Sequence, residues 1–84
     1  MIKVYILRSL VDGRYYVGMT EDEIRRLKEH NRGKMKSTKG YRPWEMLEVE
    51  VYETRVQARI REKYLKSGIG KEYIKAKWSR SSIG

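Results

Sequence analysis

The 84 residues amount to one domain's worth of chain, a size at which folding buries only about 60 to 65% of the unfolded surface and leaves room for one thin core. Lysine and arginine number 20 against 11 aspartates and glutamates, a formal charge of +9 that attracts polyanions, nucleic acid ahead of an anionic membrane. No apolar run approaches the roughly 20 residues that span a bilayer, no signal-peptide pattern opens the chain, and the lack of cysteine removes disulfides, thiolate zinc sites and a cysteine nucleophile together; a soluble, cytoplasmic protein is expected.

Ile2, Val4 and Ile6 alternate with Lys3, Tyr5 and Leu7, the period of a strand, and a second strand from Arg14 to Met19 follows the turn signal LVDG. TEDE at positions 20–23 has the capping-box pattern, with Thr20 as N-cap and Glu23 reaching back, so a helix is expected from about Glu21 to Asn31 and Gly33 can end it. The run GKMKSTKGYRP reads as a basic loop that adds nothing to a core. WEMLEVEVY reads as a third strand with Leu47, Val49 and Val51 on one face and Glu48 and Glu50 on a wet one. Thr54 and Gln57 repeat the capping-box pattern and start a helix through about Lys66, with Val56, Ile60 and Tyr64 spaced at four. SGIG interrupts it, KEYIKAKW reads as one more short helix packing through Tyr73, Ile74 and Trp78, and SRSSIG as a frayed end. The order ββαβαα makes residues 1–84 a single α+β domain, with a small three-stranded, largely antiparallel sheet flanked by helices.

The turn decides where the tyrosines point. If LVDG is a four-residue loop closed by Ser9 opposite Arg14, then Leu7 faces Tyr16, Tyr5 faces Gly18, and the two phenols share a face about 7 Å apart at Cα. Gly18 then leaves a notch opposite Tyr5 where a ligand can approach the backbone. A loop with a Gly13 bulge would send them to opposite faces, and tyrosine is also a plain strand former. Arg26 and His30, the chain's one histidine, lie four apart on one helix face, which suits either an exposed basic surface or a pair serving phosphate and proton. Glu62 sits four after Ala58 and three before Leu65, bordering apolar positions, so its carboxylate needs a partner, either a structural arginine or a divalent cation.

Taken together these positions resemble the GIY-YIG nuclease family. Its first tripeptide corresponds to Lys3-Val4-Tyr5, ten residues intervene, and its second corresponds to Tyr16-Val17-Gly18. Arg26 falls eight and His30 twelve residues after Gly18, and Glu62 lies in ARIREKYLK where the family carries its metal-binding glutamate. The likeness covers nearly the whole chain and is closest to the small single-domain branch, through YRPWEML and HNRGK; it extends to the nuclease domain of the excision-repair nuclease subunit and to GIY-YIG homing endonucleases. Two departures stand out: Lys3 replaces the family's first glycine, and no asparagine follows Asn31, whereas many members carry one near the domain's C-terminal end to help bind substrate.

The resemblance implies hydrolysis of nucleic-acid phosphodiesters, DNA first, with one Mg²⁺ or Mn²⁺ held by Glu62, since Mg²⁺ keeps several waters and takes other ligands from substrate phosphate. Arg26 would neutralise the scissile phosphate, and Tyr5 would be the general base, its phenolate favoured by Lys3 and Arg26. Tyr16 and His30 would orient the water or relay its proton. Lys34, Lys36, Lys39 and Arg42 suit backbone tracking, with Tyr41 and Trp44 nearby, although Trp44 equally suits packing at a strand start. A monomer of low sequence specificity is expected, its choice of substrate set by shape or by a protein partner. The alternatives are a basic module with this fold that binds nucleic acid without cutting it, and an interaction protein such as a ribosome-associated one.

Overall fold

The computed structural model describes residues 1–78, and the frayed end expected at 79–84 lies outside the described residues. Strands β1 (Ile2–Ser9), β2 (Tyr15–Thr20) and β3 (Trp44–Tyr52) form an antiparallel sheet in the order β2-β1-β3. Helix α1 (Glu23–Asn31) follows the hairpin, and α2 (Arg55–Lys66) and α3 (Gly68–Trp78) follow β3, completing the expected α+β order ββαβαα.

Both faces of the sheet are covered. Val4 and Ile6 of β1 point to one face, where with Ile2 and Val17 they meet Ala58 and Leu65 of α2 and Ile74 of α3. The intervening Tyr5 and Leu7 point to the other, joining Trp44 and, from α1, Leu27. Successive residues of one strand thus serve two separate clusters.

Several local expectations change. Helix α1 begins two residues late, because Asp22 is its N-cap, accepting from the Arg25 amide at 3.0 Å, while Glu23 is drawn to Lys3 at 2.8 Å. Aspartate ranks above threonine as a cap, and Thr20 instead accepts from the Asp22 amide at 3.1 Å. The helix closes with Gly33 at φ +82°, as read from the sequence. The register of β1 and β3 shifts between Ile6 and Leu7, so Leu47 is an extra residue that joins the face of α2 and α3 instead of Val49's face. The supposedly wet side of β3 is that same covered face: Glu50 takes a two-pronged bond from Arg61 at 2.9 and 3.1 Å, and Glu48 pairs with Lys77 at 3.1 Å.

Helix α2 starts at the expected capping box, with Thr54 and Gln57 exchanging bonds of 3.2 Å. Its buried residues, however, are Ala58 and Leu65, whereas Val56 is 71% and Ile60 65% exposed, and Tyr64 is exposed too. The small Ala58 lets α2 lie close to the sheet, and that choice of face leaves the regular apolar stripe outside. The segment SGIG does not separate two helices by a loop: Ser67 alone lies between them, and the glycines belong to α3. Gly70 is buried, and a Cβ there would run into the Tyr64 carbonyl oxygen, a contact that only glycine permits. Ile74 is buried with Tyr73 and Trp78 packed against the same cluster, as expected. Among the described residues no helix is long and apolar enough to cross a membrane.

Candidate active site

The hairpin loop sets the site. Ser9 donates its amide to the Arg14 carbonyl at 2.8 Å, the Gly13 amide donates to the Ser9 carbonyl at 3.0 Å, and Gly13 adopts φ +80°. That is the four-residue loop, and it pairs Leu7 with Tyr16 and Tyr5 with Gly18. The two phenol rings accordingly share a face, with centroids 6.3 Å apart. The notch left by Gly18 is filled from within by the Tyr5 ring, whose Cζ lies 2.6 Å from where a Cβ would stand. Gly18 therefore positions Tyr5, and the notch that the sequence offered to a ligand holds this side chain.

Tyr5 is 2% exposed and its hydroxyl lies 2.9 Å from Nε2 of His30, itself fully buried. The Tyr16 ring stands edge-on to the imidazole at 5.0 Å and to Trp44 at 6.2 Å. Two residues that the sequence reading passed over hold this group. Asn31, next to His30, accepts from the Trp44 amide at 2.6 Å and donates to the Trp44 carbonyl at 3.1 Å, stitching the end of α1 to the start of β3. Thr38, buried, places Oγ1 2.8 Å from His30 Nδ1 and donates to the Met35 carbonyl at 3.4 Å. With its proton directed there, Thr38 can accept from Nδ1–H, the tautomer that leaves Nε2 to accept from Tyr5. The basic loop thus contributes to packing after all: Trp44 is buried and donates Nε1–H to the Thr38 carbonyl at 2.9 Å, so its role is packing. A polar residue of a loop between glycines carries no period that would mark it as buried.

Arg26 is half-buried, 3.5 Å from Glu29 and 3.8 Å from the Met35 sulfur. Its charge, after burial, holds His30 below its ordinary value, and both effects keep the imidazole neutral. Burial, helped by the neighbouring Tyr16, pushes the Tyr5 phenol well above its ordinary value, with Arg26 opposing and Glu62 reinforcing that shift. Arg26 on α1 and Glu62 on α2 thus bear on the same phenol with opposite sign. Lys3, expected to favour the phenolate, is spent on Glu23. Glu62 is 15% exposed at its side chain and takes Lys66 at 3.1 Å and Arg59 at 3.7 Å. Lys34, Lys36, Lys39 and Arg42 are exposed on the loop after α1, Arg42 donating to the Lys39 carbonyl at 2.8 Å.

Among the described residues no three histidines, cysteines, aspartates or glutamates are grouped to enclose a metal. Glu62, the carboxylate expected to hold a cation, is a hard oxygen donor of the kind that suits Mg²⁺ completed by waters and phosphate.

The model of the family described as the GIY-YIG catalytic domain matches residues 1–75. A UPF0213 protein of Staphylococcus aureus (strain Mu3) is 40% identical over 65 residues, covering 76% of this chain and 78% of its own. The "Structure-specific endonuclease subunit SLX1 homolog 1" of Trypanosoma cruzi is 45% identical over 51 residues, which are 52% of this chain, and the match spans only 10% of that much longer protein. Among solved structures, the solution NMR structure of a UPF0213 protein from Bacillus halodurans superposes with a TM-score of 0.55 at 33% identity, covering 93% of this chain and 86% of that one.

Proposed function

The chain belongs to the GIY-YIG catalytic-domain family, and on that premise we propose that it is an endonuclease that hydrolyses phosphodiester bonds, DNA before RNA, with low sequence specificity. The observation that carries this reading is the convergence of Tyr5, Tyr16 and His30 on one face, with the Tyr5 hydroxyl 2.9 Å from His30 Nε2.

The chemistry follows from the direction of the hydrogen bonds. A standing Tyr5 phenolate is disfavoured by burial, so the phenol works as a relay: its proton passes to the bare Nε2 of neutral His30 as its oxygen takes the proton of the attacking water. Thr38 fixes the tautomer this needs, and Tyr16 walls the imidazole. Arg26 neutralises the scissile phosphate. Glu62 would hold a divalent cation, Mg²⁺ or Mn²⁺, which when bound stabilises the leaving oxygen; Lys66 and Arg59, which now hold that carboxylate, keep it oriented until then. Exposed Lys34, Lys36, Lys39 and Arg42 would follow the phosphate backbone. The Trypanosoma cruzi relative is named as a subunit, which supports a protein partner as the source of substrate choice.

The test is a cleavage assay on duplex, flapped, branched and single-stranded substrates with Mg²⁺, Mn²⁺ or EDTA. Product that needs the metal supports the nuclease reading. Binding in every lane with no metal-dependent product would instead favour a module that holds nucleic acid without cutting it.

A further inference from the structure

A cleft of about 590 Å³ opens at the free edge of β2, between the hairpin tip, the end of α2 and α3. Its floor is apolar, made by Val17, Leu65 and Ile74, all buried, with Tyr15 at its side. Exposed lysines, Lys66 and Lys71 among them, form its rim. Among the described residues the one carboxylate in the lining, Asp12, is already bonded to Arg14 at 2.8 Å. A volume of this size suits a small organic group, and an apolar floor under a cationic rim suits a heterocyclic base whose flanking phosphates stay in water.

The cleft also adjoins the reaction centre. Lys66, on its rim, bonds Glu62 at 3.1 Å and lies 6.0 Å from the centre of the Tyr16 ring. Resting on the nuclease reading above, we propose that this cleft receives the base of one nucleotide flanking the cut, so that the substrate carries an unpaired nucleotide at that position. A base inside a duplex is covered on both faces by its neighbours and has its pairing edge occupied, so it cannot reach a floor set behind a strand edge. A base that is unpaired can swing out at little cost, and burial against apolar and aromatic side chains holds it whatever its identity. The specificity this produces is for structure over sequence.

Binding without cleavage tests it. In EDTA, the whole protein is titrated into three DNAs of equal length: a fully paired duplex, the same duplex with one unpaired 2-aminopurine, and the same with an abasic residue in its place. The expected result is a change in 2-aminopurine emission on binding, and an affinity about tenfold higher for the unpaired base than for the abasic or paired DNA. Lys71→Trp, at an exposed rim position outside the reaction centre, should bring that ratio close to one by capping the cleft, while Lys71→Arg should preserve it. Equal affinity for all three DNAs, or a preference that Lys71→Trp leaves intact, overturns the proposal. The two readings fail separately. Base-dependent binding with no metal-dependent product would remove the nuclease and keep the cleft, and metal-dependent cutting of all three DNAs with equal affinity would do the reverse.

Discussion

The Tyr5 hydroxyl and Nε2 of His30 lie 2.9 Å apart, the imidazole fully buried and the tyrosine 2% exposed. Their protonation states are therefore tied to folding as well as to chemistry. His30 is held below its ordinary value of 6.5, so the folded state stays neutral where the unfolded chain already takes up a proton. The stability this contributes is complete above pH 6.5 and is lost as pH falls below it. Tyr5 is held above its ordinary value of 10.0, so its contribution is complete below that pH and is lost as pH rises past it. Melting temperature should decline below about pH 6.5, before ordinary carboxylates titrate, and His30→Gln should flatten that decline. Cleavage should fall only at lower pH than the onset of that decline, as the imidazole of the folded protein itself takes up a proton and can no longer accept the Tyr5 proton. An acid limb that survives His30→Gln unchanged would remove His30 from the relay.

Gly18→Ala tests the positioning of Tyr5. The added methyl would collide with the phenol hydroxyl and stand 2.6 Å from Cζ, against a ring that is buried and has nowhere to go. A loss of about 1 to 3 kcal/mol is expected from overpacking, with cleavage falling more steeply than stability because the bond to His30 is broken. Denaturant titration beside a cleavage time course separates the two effects, and full activity would mean that the Tyr5 position is immaterial.

For Glu62→Gln the fold should survive. Its two ion pairs run to exposed partners, and such pairs are each worth about 0 to 1 kcal/mol. The variant should bind nucleic acid at least as tightly, having lost a repelling charge, and show no metal-dependent product. A collapse in melting temperature without metal would make Glu62 a structural residue.

Lys34→Ala, Lys36→Ala and Lys39→Ala should each lower affinity alike for all sequences. Each should also reduce the slope of log K against log salt by about one unit. An altered base preference with an unchanged slope would contradict phosphate tracking by this loop.

The outer stripe of α2 gives a control. Ile60 is 65% exposed, so Ile60→Gln should change stability by less than about 0.5 kcal/mol. At Ala58, fully buried, a leucine would overpack the contact with the sheet and cost about 1 to 3 kcal/mol. Chemical denaturation of both variants reverses if the stripe is core.

These contrasts mark where local sequence stops being informative. The hairpin was legible because a glycine at a turn and two flanking apolar runs leave few registers, and from that register the facing of Tyr5, Tyr16 and Gly18 followed. Arg26, His30 and Glu62 were named as site residues through the family resemblance and not from local pattern, and of the three His30 is the one bonded to Tyr5. The buried face of α2 was not, because a perfect apolar period at 56, 60 and 64 competes with a shorter contact through Ala58, and only the sheet decides. Leu47 was misplaced because the extra residue in β3 lets two successive side chains, Leu47 and Glu48, share one face of the sheet. Thr38 and Asn31 escaped because their importance lies in bonds to residues distant in sequence, the His30 ring and the Trp44 backbone.

Val4 and Ile6 look toward α2 and α3 while Tyr5 and Leu7 look toward α1, so β1 is read in two interleaved frames. Substitution at one position edits a single frame. Gain or loss of one residue within the strand would exchange them, sending the phenol in among the aliphatic side chains and an aliphatic group to the imidazole. The strand can therefore vary in composition while its length is locked by two unrelated demands at once, and a lineage that lost one of them would be free to lengthen it.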